Sequence, residues 1–297
     1  MLAALRRGGA HVTTLSIGPK PSATLLRRLR ADVVIVDTIA APTAGSLIRA
    51  ARASGARIVT LALMSRGAVR LAHESDRVIA VSRALAGELR DAGIPRSRIA
   101  VIPPGIDRAR PAARWPSERG LCVANWTRAK GIRTLLAAIE RLPDVQLDLV
   151  GDTPDPVYAR QVRADLQRAP FRARVRVHGV MRGARLQQMY ARASFFVLPS
   201  TVESYGMAVG DALGAGLPII ACDIPATREV TGGAAVLVPR GRVNALSDAI
   251  AHVSSDAVLR GLLARRARER AKRLSTWEQS EKEFVRAVGA IVASARR

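Results

Sequence analysis

The sequence predicts an α/β protein made of two parallel-sheet domains, and three observations carry the prediction. Short apolar runs such as DVVIVD at 32–37 and SFFVL at 194–198 alternate with stretches of helical period along the whole chain. Near-continuous apolar strands alternating with helices are the pattern of a parallel sheet covered on both faces. Residues 108–118, with Pro111 and Pro116, break both periodicities and read as a linker between domains at 1–107 and 119–274. Residues 199–229, PSTVESYGMAVGDALGAGLPIIACDIPATRE, follow a buried strand with an acidic loop, a glycine-opened helix and a second strand. That is a βαβ unit, and ligands of such sheets sit at the carboxyl ends of the strands.

In the first domain, residues 11–17, 32–37, 57–63, 77–81 and 98–102 read as strands with β-branched cores. Residues 23–30, 42–53 and 83–92 read as helices, the last with Ser82 as N-cap. In the second domain, residues 120–125 read as a strand, followed by the loop WTRAKG and a helix at 132–141. Strand 145–151, the turn DTPDP, helix 157–167, strand 174–179 and helix 184–191 follow. After strand 194–198 comes the small-residue helix GMAVGDALGAG from Gly206, closed by Gly216 and Pro218. Strands at 217–222 and 234–238 and helices at 245–253, 257–273 and 276–295 complete the chain.

Hydrophobic residues make up 48% of the 297, enough for a substantial core, and no run approaches the 18 or so apolar residues of a membrane helix. The start, MLAALRRGGAHV, lacks the apolar core of a secretory signal, so the cytoplasm is expected. Cys122 and Cys222 each sit in an apolar run without partner spacing, which argues against a disulfide framework or a zinc site. The net charge is +23, and 43 of the 47 basic residues are arginine. A solvated, arginine-biased surface is the commoner explanation of such a charge. Where it marks a partner, the anionic inner face of a membrane, with peripheral attachment, fits better than nucleic acid. Aromatics are only 3% and no basic recognition helix stands out. The sequence does not give the oligomeric state.

Spacing points to the kind of ligand. Glu203 and Asp211 are eight positions apart, about 12 Å along a helix axis. That is too far for two carboxyls flanking one glycosidic bond, which need roughly 5 to 9.5 Å. Between them, the amides of Ser204, Tyr205, Gly206 and Met207 open a helix, a ready anion site. Hydroxyls at both ends and negative charge in the middle is the layout of a sugar nucleotide.

The same segment resembles the donor-site signature of retaining glycosyltransferase family 4, the group 1 glycosyltransferases, written P-S-x-x-E-G-F-G-x-x-x-x-E-A. The resemblance runs over nearly the whole chain and is densest from 120 to 250. It implies a GT-B fold, two Rossmann-like domains facing a central cleft, here with the N-terminal one reduced. In relatives a glycine-rich loop after the first strand lies over the donor diphosphate; here Met1 falls partway along the helix that comes next, so the resemblance implies that strand and loop are missing. A histidine that relatives often carry after the strand matching 57–63 is also absent, and His73 reads as structural or surface. IPPGID at 102–107 resembles the family's I-P-N-G-V-D at the end of the first domain. Residues 275–297, opening near Trp277, match a final helix that crosses back to that domain.

Transferred position by position, the resemblance makes Glu203 the acid on the donor sugar hydroxyls and Lys130 the cation on the diphosphate. Asp211 takes the place of the acid that holds the ribose, one methylene shorter than the usual glutamate. Tyr205 replaces a phenylalanine, and Asn125 replaces the arginine of R-x-x-x-x-K-G, with Arg128 nearby as a substitute charge. Glu229 matches a later glutamate, with a structural cap or surface acid as the alternative. Gly151, Asp152, Gly179 and Val180 end their strands at one sheet edge and should line the nucleotide pocket chiefly through backbone. The implied activity is retaining transfer from a nucleoside-diphosphate sugar to a hydroxyl acceptor, with no metal and no cofactor. The rival is a sugar-nucleotide-binding relative with weak or no transferase activity.

Overall fold

The computed structural model describes residues 2–14, 31–39, 42–65, 67–108, 118–168, 171 and 173–295. The chain divides into two compact units, Met1–Gly105 with Ser275–Arg297, and Ile106–Leu274. The expected helix at 23–30 and most of the expected linker lie outside the described residues.

The first unit is organised on a four-stranded sheet of β1 (Val33–Asp37), β2 (Arg57–Ala62), β3 (Arg77–Ala80) and β4 (Ile99–Val101), parallel and in that order. Helices α1 (Leu2–Arg7), α2 (Gly45–Ala53), α3 (Ala68–His73) and α4 (Arg83–Asp91) accompany it. One apolar cluster joins Val36 and Ile58 to Leu47, Ile48 and Ala51 of α2 and Leu71 of α3. A second joins Val59, Ile79 and Ile102 to Leu5 of α1 and to Phe284, Val288 and Ile291 of α12 (Trp277–Ala295). Both faces of the sheet are covered, which is why its strands read as unbroken apolar runs. Ser82 caps α4, accepting from the Leu85 amide at 3.0 Å. Of the strand expected at 11–17, residues 15–17 lie outside the described residues; residues 11–14 are not in a strand among the described residues, and the Val12 carbonyl accepts from Arg6. His73 is exposed at the end of α3. Gly105 lies against the Trp277 backbone, where a β-carbon would come within 2.1 Å of the amide nitrogen.

The second unit carries a six-stranded parallel sheet. In chain order its elements are β5 (Gly120–Val123), α5 (Ile132–Glu140), β6 (Leu147–Val150), α6 (Pro156–Gln167), β7 (Val175–Gly179) and α7 (Gly183–Arg192). Then come β8 (Phe195–Leu198), α8 (Met207–Gly214), β9 (Ile219–Cys222), α9 (Pro225–Thr231), β10 (Val236–Val238), α10 (Val243–Ser255) and α11 (Ala257–Lys272). The sheet order is β10-β9-β8-β5-β6-β7. The chain starts in the middle at β5, winds outward to β7, then returns to β8 and winds the other way. That is the doubly wound Rossmann order, and the direction reverses between β5 and β8. β8 is wholly buried, with Phe195 lying over Gly120, where a β-carbon would strike its ring at 2.3 Å. Cys122 and Cys222 are free and buried among these strands, and burial pushes the Cys122 thiol up to about 12. Among the described residues no helix is long and apolar enough to cross a membrane.

Candidate functional site

A sheet of this order leaves a crevice outside the carboxyl ends of β5 and β8, because the loops leaving those two strands turn to opposite faces. Here the two loops are knitted together. The Thr201 amide donates to the Ala129 carbonyl at 2.8 Å. Gly131, at φ +67°, sits so close to the β8 loop that a β-carbon would lie 2.5 Å from the Pro199 carbonyl oxygen. Across the crevice Lys130 Nζ donates to Glu203 Oε1 at 2.6 Å, with the lysine side chain 28% and the glutamate side chain 9% exposed. The two residues expected to carry the chemistry are thus partners, although 73 positions apart.

On the β5 side, the loop ends are fixed through backbone. The Trp126 amide donates to the Asp152 carbonyl at 2.7 Å, and the Asp152 amide donates to Asn125 Oδ1 at 3.2 Å. Asp152 Oδ1 in turn accepts from the Thr153 amide at 2.7 Å. Asn125, where the resemblance expects a cation, therefore ties the loops after β5 and β6 to each other. Gly151 packs so tightly on this loop that a β-carbon would fall 1.9 Å from the Ala124 carbonyl oxygen, and its amide donates to Gly179 at 2.9 Å. Arg128 is exposed in the short 3-10 turn Arg128–Lys130, and Val180 is exposed just beyond β7.

On the β8 side, Gly206 takes a left-handed conformation at φ 96° and opens α8 without a side-chain cap, so the first-turn N–H groups of that helix are turned toward its entrance. Ser204 is half-buried beside it and Met207 is exposed. Tyr205 is buried, and its hydroxyl is pushed up to about 12, first by burial and then by Glu229 and Asp211, with Arg270 opposing. The hydroxyls of Tyr205 and Ser200 are both buried and find no hydrogen-bond partner among the described residues. Buried polar atoms normally find partners, so two orphans flanking one loop mark a place where a ligand or solvent belongs.

Asp211 lies one turn into α8. Burial pushes its carboxyl up to about 6, and the neighbouring Asp107 adds to the rise. Among the described residues no donor reaches that carboxylate. Tyr190, beneath it, is held well above its ordinary range by burial and by Asp211. Glu229, on α9, is half-buried; Arg270 of α11 donates to its carbonyl at 2.7 Å and to that of Val230 at 2.9 Å, closing the end of α9. The structure therefore gathers Lys130, Asn125, Glu203 and Asp152 on the loops after β5, β6 and β8, with Asp211 and Tyr205 on or against α8.

Sequence reasoning missed Asp107, Ser200 and Thr201. Ser200 had a signal, since it stands inside the P-S pair that ends the strand. Asp107 had none, because its nearness to Asp211 depends on how residues 106 and 107 lie on the helix: a β-carbon on Gly214 would meet the Asp107 carbonyl oxygen at 2.1 Å. Among the described residues no group of three or more His, Cys, Asp or Glu side chains could hold a metal ion.

Comparison with known proteins matches two family models to the chain, "Glycosyltransferase Family 4" over residues 15–110 and "Glycosyl transferases group 1" over residues 117–256. The D-inositol 3-phosphate glycosyltransferase of Xylanimonas cellulosilytica is 28% identical over 232 residues, 69% of this chain and 55% of that protein. The GDP-mannose:cellobiosyl-diphosphopolyprenol alpha-mannosyltransferase of Xanthomonas campestris is 32% identical over 192 residues, 59% of this chain and 48% of the relative. The chain spans about half the length of each of these two relatives. Among solved structures, sucrose-phosphate synthase from Thermosynechococcus elongatus superposes with a TM-score of 0.77 at 21% identity, covering 89% of this chain and 74% of that one. Anabaena HepE in complex with UDP and glucose does so with a TM-score of 0.77 at 18% identity, over 87% and 77%. At that identity the structural likeness bears on the fold, which is GT-B. With the two family matches between them taking in most of the chain, this protein belongs to the group 1, family 4 glycosyltransferases.

Proposed function

We propose that the chain is a retaining, metal-independent glycosyltransferase that moves a sugar from a nucleoside-diphosphate sugar to a hydroxyl acceptor. The observation that carries the reading is the Lys130–Glu203 pair, which spans the point where the strand order reverses, beside the uncapped start of α8. A diphosphate seated there meets one ammonium and the N–H groups of a helix start, and both stabilise charge that grows as the anomeric bond breaks. Glu203 then turns from the lysine to the sugar hydroxyls, and Asp211 accepts from the ribose. The acceptor oxygen bonds to the anomeric carbon on the face the diphosphate leaves. Its proton passes to the departing phosphate oxygen, so configuration is retained. The relatives' names support this class: one carries GDP-mannose in its name, and HepE was crystallised with UDP and glucose.

Thermal-shift screening against UDP-, GDP- and ADP-sugars tests donor binding, because a ligand that binds only the folded state raises the melting temperature. A labelled-donor assay across an acceptor panel tests transfer. Binding without turnover on any acceptor would favour a non-transferring binder, a reading that the use of Asn125 as a loop tie, in the place of a cation, makes worth keeping. We also propose that the +23 charge draws the chain to an anionic membrane surface. Co-sedimentation with phosphatidylglycerol vesicles that fades with salt supports this, and equal binding to neutral vesicles refutes it.

A further inference from the structure

The pairing of β6 with β7 contains an irregularity. Asp148 stands opposite Arg176 and Leu149 opposite Val177, but Val150 stands opposite Gly179, so His178 is an extra residue on β7. A bulge of this kind bends a strand and re-aims the residues beyond it, and it needs something to hold it. The His178 ring supplies that hold, its Nε2 lying 2.9 Å from Asp148 Oδ1. A carboxylate only accepts, so His178 carries its proton on Nε2 and donates. Asp148 Oδ1 also accepts from Arg119 Nε at 3.0 Å, and the buried Arg119 guanidinium reaches the Leu147 carbonyl at 2.7 Å and the Arg174 carbonyl at 2.9 Å. The carboxylate is thus fixed from one side by a cation anchored to β6 and to the residue before β7, and presents its oxygen to the bulge from a set position. One residue past His178, Gly179 adopts a left-handed φ of 68° and its carbonyl takes the Gly151 amide at 2.9 Å. The bulge therefore decides which backbone atoms arrive at the carboxyl end of β7.

We propose that His178 is a positioning residue for the base end of the donor, acting through Gly179 and Val180 rather than touching the ligand. The proposal rests on the donor-site reading above. Removing the donor on His178 leaves Arg119 on Asp148, so the fold keeps its buried ion pair while the bulge loses its latch. A strand pair without the latch can relax toward regular register, which displaces Gly179 by one position and turns its neighbours to the other face.

The test uses the whole chain and two substitutions of similar bulk, His178→Gln, whose amide N–H can replace Nε2, and His178→Phe, which has no donor. Thermal shift with UDP, GDP and ADP is measured first on the unaltered protein. If none of them binds, the donor-site reading falls and this proposal with it. If one binds, His178→Phe is expected to weaken it and to raise the donor KM by about five- to tenfold, as loss of one positioning hydrogen bond allows. kcat should stay within about twofold, and His178→Gln should restore KM. A His178→Phe protein with unchanged nucleotide affinity overturns the proposal and leaves the donor site standing; so does a fall in kcat at constant KM. Should His178→Phe lose its melting transition, His178→Ala takes its place with the same expectations.

Discussion

Asp211 is poised at a cost to the empty protein, and replacing it with asparagine exposes that cost. In the folded chain burial, then Asp107, lifts its carboxyl from an ordinary 3.8 to about 6. Between those two values folding takes up a proton, so stability falls as pH rises through the window from about 4 to 6 and stays lower above it. Two pH units correspond to about 3 kcal/mol, and partial solvation of the carboxyl brings the expected effect to between about 1 and 3 kcal/mol. Asparagine keeps the shape and drops the charge. At pH 7.5 Asp211→Asn should therefore melt higher, by roughly 3–10 °C for a unit of this size, and the gap should close near pH 4. Nucleotide affinity should move the other way, since an amide is the weaker acceptor for ribose hydroxyls. Chemical denaturation of both proteins from pH 4 to 8 reads the difference directly. An asparagine variant equal to or less stable than the parent at pH 7.5, or one with the same pH slope, would refute the reasoning.

Lys130→Ala and Glu203→Ala should each cut transfer by tens-fold or more in a labelled-donor assay. Lys130→Ala should also lower stability by about 1–3 kcal/mol, because it strands a mostly buried carboxylate, and the double variant should lose less than the two singles added together, as measured by urea denaturation. Gly131→Ala should destabilise by at least about 1–3 kcal/mol and weaken nucleotide binding, because a β-carbon at φ +67° drives the β5 loop off the Pro199 carbonyl; a normal melting curve with normal affinity would show the loops to be independent. Arg119→Met should cost about 3 kcal/mol or more, leaving Asp148 without its buried cation; circular dichroism melts give the value.

The inner strands β8 and β9 of the second unit were legible because they are buried along their whole length, so their apolar runs had only one reading. Lys130 and Glu203 were each visible in their loops, but nothing local shows that residues 130 and 203 meet; that depends on the winding order of the sheet. The helix α9 was not predicted, since seven residues hold too few turns for a period and its boundaries rest on Pro225 at the start and a left-handed Gly232 at the end. Arg270 sits in the run RRARERAKR, which reads as a solvated face. It turns inward to close α9, a role that depends on which of several equivalent arginines the helix rotation points down. The bulge at His178 leaves no trace in an alternating pattern, because one extra residue is smaller than the uncertainty in any strand end.

The apolar layer under one face of the first sheet is assembled from Leu5 near one end of the sequence and Phe284, Val288 and Ile291 near the other. During synthesis Leu5 and the strands of the first sheet emerge before residues 106–274, so Val59, Ile79 and Ile102 stay uncovered by α12 until that whole unit has been made. The first sheet is therefore closed only after the second unit has been made, although its strands come earlier in the sequence.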